Sequence, residues 1–332
     1  MSILSNGNTP INAAESMQAA LAALFQQGDV IEIRALGVPM GRMKGTTAGY
    51  FDNSHDAVRA VWELSNRGAE GIYVCVNPVK PGCLARAENK LKDGLKPTTG
   101  DKDIDHRRWL FIDLDPDRPS GICATDAEKE SAKAVALSVW NWLTTELGWP
   151  HPLLFDSGNG FHLLARIDLP NTTGTDELVK AILIAIQTRF ANDHVKIDQS
   201  VGNAARIIRL SGTWNRKGDN TGDRPHRLAK AIHVPSTIST VSLDQLQAVA
   251  NLAPKSAAGS VGNGQSRLDV PAWLTDRGVQ FADGTLPDGR DAWRIICPFD
   301  SSHGQRGETI ITQEPSGKLG AKCHHDSCSG HA

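Results

Sequence analysis

Three short stretches of the chain hold residue types and spacings that could do chemistry. The first is Ile112-Asp113-Leu114-Asp115-Pro116, at the end of the apolar run Arg108–Asp115 (RWLFIDLD). Residues two apart on a strand point to the same face, so Asp113 and Asp115 project together while Leu110, Ile112 and Leu114 fill the other face. Two adjacent carboxylates repel, and a divalent cation between them removes the cost. A strand end with two solvated Asp before a Pro turn is the plainer alternative, and glycosyltransferases and nucleases also use Asp-x-Asp.

The second stretch is Asp156-Ser157-Gly158-Asn159-Gly160-Phe161-His162. Two Gly in a tight connection let backbone amides approach an anion. Ser157 and His162, at either end, could donate to a phosphate. A Gly-rich hairpin turn with a His on the next strand is the competing reading. The third stretch begins at Lys196-Ile197-Asp198, where Asp198 could add a third carboxylate, and continues as RIIRLSGTWNRKG from Arg206 to Gly218. Between Arg206 and Lys230 there are seven Lys or Arg against two Asp, in a chain whose net charge is −2. That local excess invites a polyphosphate or a nucleic acid; a solvated basic loop is the alternative.

These stretches need elements to position them. The pattern predicts strands at Val30–Leu36, Gly71–Val76 and Arg108–Asp115, a hairpin from Leu153–Phe155 to Phe161–Ile167, and short strands at Val195–Ile197 and Ile207–Leu210. Helices are expected over 11–27 and 52–64. Another is expected after Thr125, where Thr125 and Glu128 form a capping box and Ala132, Val135, Ala136, Val139, Trp140 and Leu143 share a face. A further one has Val179, Ile182, Leu183, Ile186 and Phe190 on one side. Residues 80–105 read as a polar loop with a short helix. Residues 254–268, rich in Gly, Ser, Ala and Asn, read as a flexible linker, so the expected organisation is 1–253 as a catalytic domain and 269–332 as a small unit.

The order of the three stretches resembles the archaeo-eukaryotic primase superfamily, in particular the primase-polymerase branch found in plasmids, phages and other mobile elements. The resemblance covers residues 30–235. It implies an α+β fold: an N-terminal α/β module joined to an RRM-like antiparallel sheet with flanking helices. It implies a template-directed nucleotidyltransferase, a DNA primase or polymerase, acting on NTPs or dNTPs with a single-stranded DNA template. Asp113, Asp115 and Asp198 would hold two Mg²⁺ or Mn²⁺ ions. Ser157, Asn159 and His162 would contact the incoming nucleotide, and Arg206, Arg209 and Lys217 its triphosphate or the nearby strand. Asn77, Arg86 and Asn89 resemble family positions near the nucleotide or template, with a solvated helix as the alternative.

Near the end, Cys297-x₅-His303-x₁₉-Cys323-x₄-Cys328 offers four ligands at loop-forming separations. Two strands around Pro315-Ser316-Gly317 would present them as a zinc ribbon does, closing a structural Zn²⁺ site in a unit too small to be stable without one. His324, His325 and His331 compete as ligands. Cys75, Cys83 and Cys123 are expected as free thiols in a reducing cytoplasm. Small zinc-binding segments of this kind follow the primase core in mobile-element proteins, where a helicase often comes next. The chain is therefore expected to be part of a longer primase-helicase or to work with a helicase, although it has no Walker loop of its own.

The 332 residues are 40% apolar and 22% charged, ordinary for a globular protein. Neither a membrane span nor a secretory signal is expected, which places the chain in the cytoplasm. A metal-dependent nuclease could use the same carboxylates, and a degenerate core could bind a strand or nucleotide without chemistry. A strand-nicking initiator fits poorly, since the only tyrosines, Tyr50 and Tyr73, lie beside no His-hydrophobic-His site.

Overall fold

The computed structural model describes residues 13–254, 268–296, 309–314, 317 and 319–323. The chain divides into two compact units after Pro254. The first runs α1 (Ala13–Leu24), β1 (Ile31–Met40), β2 (Met43–Phe51), α2 (Ser54–Asn66), β3 (Gly71–Cys75), β4 (Lys92–Asp93), β5 (His106–Pro116), α3 (Asp126–Asn141), β6 (Leu153–Asp156), β7 (Phe161–Pro170), α4 (Thr173–Phe190), β8 (Val195–Ile197), β9 (Ile207–Arg209), β10 (Trp214–Asn215), β11 (Arg227–Leu228), β12 (Lys230–His233) and α5 (Leu243–Ala250). It is a mixed α+β unit whose strands all pair antiparallel, in a sheet of order β4-β2-β1-β3-β9, a second of order β12-β6-β7-β5-β8, and the ribbon β10-β11.

The second sheet is built around β5. Leu110, Ile112 and Leu114 are each fully buried, on the face where α3 and α4 pack against this strand. That burial removes four-carbon side chains from water at roughly 2 kcal/mol apiece and sets the alternation that turns Asp113 and Asp115 the other way. Helix α3 starts where its cap dictates: Thr125 Oγ1 accepts from Glu128 N at 3.2 Å and Glu128 Oε2 accepts from Thr125 N at 2.8 Å. A continuous apolar core joins α1, α2 and the first sheet to α3, α4 and the second.

The sheets are also stitched by one buried amide. Asn77, just past β3, donates from Nδ2 to Ala204 O at 2.9 Å and accepts at Oδ1 from Trp109 N of β5 at 3.0 Å. Its side chain is thereby occupied by backbone, so the nucleotide-contacting position suggested by the family resemblance is a structural tie here. Arg86 is likewise engaged, by a two-pronged ion pair with Asp103 at 3.0 Å, and Asn89 Nδ2 donates to Asp52 at 3.0 Å.

Strand β2 departs from the sequence-based expectation. Its sequence MKGTTAGYF lacks an alternating pattern because its second half, Thr47–Phe51, is buried on both faces. A side chain at Gly49 would lie 2.3 Å from Lys90 O, so the strand needs the residue that weakens its own signature. Cys75, Cys83 and Cys123 are buried free thiols.

The second unit contains α6 (Val270–Asp276) and an antiparallel meander of β13 (Phe281–Thr285), β14 (Asp291–Ile295), β15 (Thr309–Gln313) and β16 (Leu319–Cys323). The expected pair of strands is β15 and β16; β13 and β14 were not foreseen. Cys297, His303 and Cys328, and the side chain of Cys323, lie outside the described residues, as do 255–267 of the expected linker. Among the described residues no helix is long and apolar enough to cross a membrane.

The Asn77 tie makes a direct prediction. Asn77→Ala leaves Trp109 N–H and Ala204 C=O buried without partners and should cost about 2–4 kcal/mol. Urea denaturation should show a lower midpoint with an unchanged slope; an unshifted midpoint would remove Asn77 from the framework.

Candidate functional site

Antiparallel register assembles the site. Strand β5 lies between β7 and β8, pairing Asp113 with His162 and Leu114 with Ile197. Asp198 N continues that register by donating to Asp113 O at 3.3 Å. Residues directly opposite on paired strands share a face, so His162, Asp113 and Asp198 form one row across three neighbouring chain segments, with Asp115 one pleat further along. The three acids line a cavity of about 310 Å³ with Asp117, Arg118, Lys196 and Lys217. Asp113, Asp115, Arg118 and Lys217 also border a smaller one of about 120 Å³ that holds Asn159, His162 and Arg206.

Electrostatics make this row unusual. Asp113 keeps 28% of its side chain exposed, yet burial and then the charges of Asp115 and Asp198 push its carboxyl up to about 7, with Lys217 and Arg206 pulling the other way. His162 sits 3.6 Å from Asp113 through Nε2. That is too long for a hydrogen bond. Burial, reinforced by the Arg209 charge, holds its imidazole down to about 3, so it is neutral at physiological pH. Phe111 packs edge-on against it, centroids 5.0 Å apart. His162 Nδ1 and Asn159 Nδ2 are both buried without a hydrogen-bond partner among the described residues. Two such groups beside one cavity are costly unless a ligand or water meets them.

The turn before His162 does not cradle an anion as its glycines suggest. Ser157 Oγ accepts from Gly160 N at 2.9 Å and donates to Gly160 O at 3.1 Å. Ser157 N donates to Gly160 O, and Gly158 N to Asp156 Oδ1. The amides of Ser157, Gly158 and Gly160 are therefore used inside the turn. Its glycines serve close packing: a Cβ on Gly160 would lie 2.3 Å from Leu114 O and 2.8 Å from Asp115 Oδ1. Gly158, at φ +91°, lies against Asn215 and Arg227. Asn159 Oδ1 is taken by Ala124 N at 3.0 Å, which leaves its amide nitrogen for the cavity.

The basic run divides into structural and available cations. Arg209, on β9 of the first sheet, is 5% exposed. It donates to Trp214 O at 3.1 Å, Tyr73 Oη at 2.8 Å and Asn215 Oδ1 at 3.3 Å, and stacks on Tyr73 at 4.5 Å. Gly71 leaves room for it, since a Cβ there would meet its guanidinium at 2.6 Å. Arg209 thus braces the site floor, where its guanidinium lines the smaller cavity and is already hydrogen-bonded by the protein. Arg224 pairs with Glu128 and Arg227 with Asp126. Arg206 donates to Ser200 O at 2.5 Å and has no carboxylate partner, while Lys217 is exposed and makes no ion pair among the described residues.

Two residues of the site escaped the sequence reading. Arg118 Nη1 binds Asp115 Oδ2 at 2.6 Å; an acid followed three residues later by Arg across a Pro was the available signal. Asn215 links Arg209 to the turn, donating from Nδ2 to Ser157 O at 3.0 Å, and nothing local in the sequence marks that long-range bond. Asp198 also has a protein partner, accepting from Ser200 N at 2.7 Å. Among the described residues no three His, Cys, Asp or Glu side chains converge in a ready-made metal site. The donor chemistry nonetheless suits a hard divalent cation: four carboxylates line one cavity, and one of them, Asp113, is driven toward its neutral form by burial and by the charges of Asp115 and Asp198. A separate cavity of about 340 Å³ lies on the opposite face of the sheet, between α3 and β6, where Lys129 and Lys133 are paired with Asp156 and Glu130.

Two outcomes are expected. Asp113 holds in the folded chain a proton that the unfolded chain loses between about pH 4 and pH 7, so its contribution to stability falls as pH rises through that window. Asp113→Asn should match the parent at about pH 4 and be more stable by on the order of 2 kcal/mol at about pH 8. Melting curves across that range, coincident at both ends, would contradict the carboxylate crowding. Arg209→Ala should lose about 3 kcal/mol of stability, with no dependence on salt, because the buried Asn215 Oδ1 and the partly buried Tyr73 Oη and Trp214 O lose their donor. A variant with parental stability and salt-sensitive ligand loss would restore the phosphate-binding role.

No protein-family model matches the chain, and no curated protein does. The solved structure described as "Crystal structure of primase RepB'" is similar, at 11% identity over 72% of this chain with a TM-score of 0.40, and the chain spans 62% of the length of that structure. A likeness at that level carries none of the functional argument.

Proposed function

We propose that this chain is a metal-dependent nucleotidyltransferase that extends or starts nucleic-acid strands, a primase-polymerase, using nucleoside triphosphates on a single-stranded DNA template. The observation that supports this reading is the row of His162, Asp113 and Asp198 with Asp115 beside it. These residues come from separate stretches of sequence and face cavities edged by the cations Arg206 and Lys217.

In this reading Asp113, Asp115 and Asp198 hold Mg²⁺ or Mn²⁺. Bound there, such ions favour attack of a strand's 3′-hydroxyl on the α-phosphate and offset charge on the departing pyrophosphate. The remaining work falls to the protein. Lys217 and Arg206 draw the triphosphate to the acids and neutralise its charge. Neutral His162 and the unpartnered amide of Asn159 donate to phosphate oxygens without adding a charge beside Arg209. Ser157 acts through the shape of its turn, because its hydroxyl is engaged there. Asn215 and Arg209 keep that turn against β9.

Incubating the chain with labelled nucleotides, a primed single-stranded template and Mn²⁺ tests the proposal. Lengthened strands are expected, and Asp113→Ala with Asp115→Ala should reduce incorporation by at least about a thousandfold. Shortened strands would indicate a nuclease on the same carboxylates. Nucleotide or strand binding without any change in length would indicate a binding module. Incorporation that survives the double substitution would remove these acids from the chemistry.

A further inference from the structure

We infer that Arg118 is a positioning residue that couples the divalent cation to the nucleotide: it holds Asp115 in an ion pair that the cation must displace, and its freed guanidinium then moves to the polyphosphate. The inference deepens the reading above and rests on it.

Arg118 reaches back across Pro116 to Asp115, with Nη1 2.6 Å from Oδ2. Two carbonyls set its direction, Pro116 O to Nη1 and Ile122 O to Nε, each at 3.2 Å. The side chain is 7% exposed, although Asp115 is 38% exposed. The contact therefore differs from a solvated surface pair, whose net worth is small. Arg118 Nη2 has no hydrogen bond to the described residues, and the guanidinium borders both cavities. It is thus poised between a carboxylate and the space where a polyanion would lie.

The loop carrying Arg118 is packed on the loop carrying Lys217. Gly218, at φ +65°, has Gly121 O 2.8 Å and Ile122 Cα 3.3 Å from where a Cβ would stand. Both cations are consequently held beside Asp115 by backbone packing. A divalent ion arriving alone would break the Arg118–Asp115 pair and leave a buried guanidinium without its anion, which is costly. An ion arriving with a polyphosphate supplies a replacement partner, to which arginine can bind through two parallel hydrogen bonds. By linkage, each ligand then strengthens the other by the same factor. This also accounts for the acids sharing a cavity without converging, since Asp115 is committed to Arg118.

Mn²⁺ binding to the full chain, followed by the electron paramagnetic resonance signal of the free ion, provides a readout independent of activity. Arg118→Ala and the milder Arg118→Gln should bind Mn²⁺ alone about tenfold more tightly than the parent, and should bind dATP at saturating Mn²⁺ about tenfold more weakly. Arg118→Lys should fall between, and circular dichroism should confirm that each variant is folded. Unchanged or weaker Mn²⁺ affinity in the folded Ala and Gln variants would overturn the inference. Tighter Mn²⁺ with unchanged dATP affinity would overturn the transfer to phosphate. Parent and variants that all fail to bind Mn²⁺, and that bind no better than Asp113→Asn, would overturn the functional reading as well. Normal Mn²⁺-dependent synthesis with no Arg118 effect would overturn this inference alone.

Discussion

Everything in the candidate site depends on the antiparallel register of β5 with its neighbours. The pairing of Asp113 with His162 on one side, and its continuation to Asp198 on the other, puts three polar side chains into one row. A strand has a side-chain period of two, so a slip of one residue would bury both β5 acids and expose Leu110, Ile112 and Leu114. The apolar face against α3 and α4 forbids that slip. The hydrophobic core thus decides where the carboxylates stand.

The row is electrostatically costly, and the surrounding structure shows how the cost is distributed. Asp113 is driven toward its neutral form. Asp115 is compensated by Arg118 and Asp198 by a backbone amide. Most of the basic run is used for construction: Arg209 braces the floor against Tyr73 and Asn215, while Arg224 and Arg227 tie their loop to the start of α3. Of the seven cations in that run, Arg206, Arg209 and Lys217 border the acids' cavities without a carboxylate partner among the described residues, and of these Arg209 is held by Trp214, Tyr73 and Asn215.

Rigid and adjustable parts are separated in the same way. Asn159 and the Ser157–Gly160 turn are locked by internal hydrogen bonds and by glycines that admit no side chain, and His162 is packed edge-on against Phe111. Arg118 and Lys217 sit on loops at the cavity edge. Preorganised donors with movable counter-charges suit phosphoryl transfer, in which positioning and charge stabilisation provide most of the catalysis.

Much of this was legible in the residue order. The β5 strand, the capping box of α3, the β6–β7 hairpin and the short β8 and β9 follow from apolar periodicity and cap chemistry, which are local. Asp113, Asp115, Asp198 and His162 stood out because residue type and spacing are also local. Strand β2 was not legible, because burial on both faces erases alternation. The partners of Arg209, Asn77 and Asn215 were not legible either, whereas Arg118 lies three residues from Asp115 and carried a local signal. A sequence shows which side chains can donate hydrogen bonds, but a donor's partner depends on which segments meet, and those contacts span separations such as the 127 residues between Asn77 and Ala204. The sequence by itself therefore determined the chemical inventory and the strand that carries it. Only the tertiary structure decided which cations are already committed, because commitment is a matter of distance between segments remote in the chain.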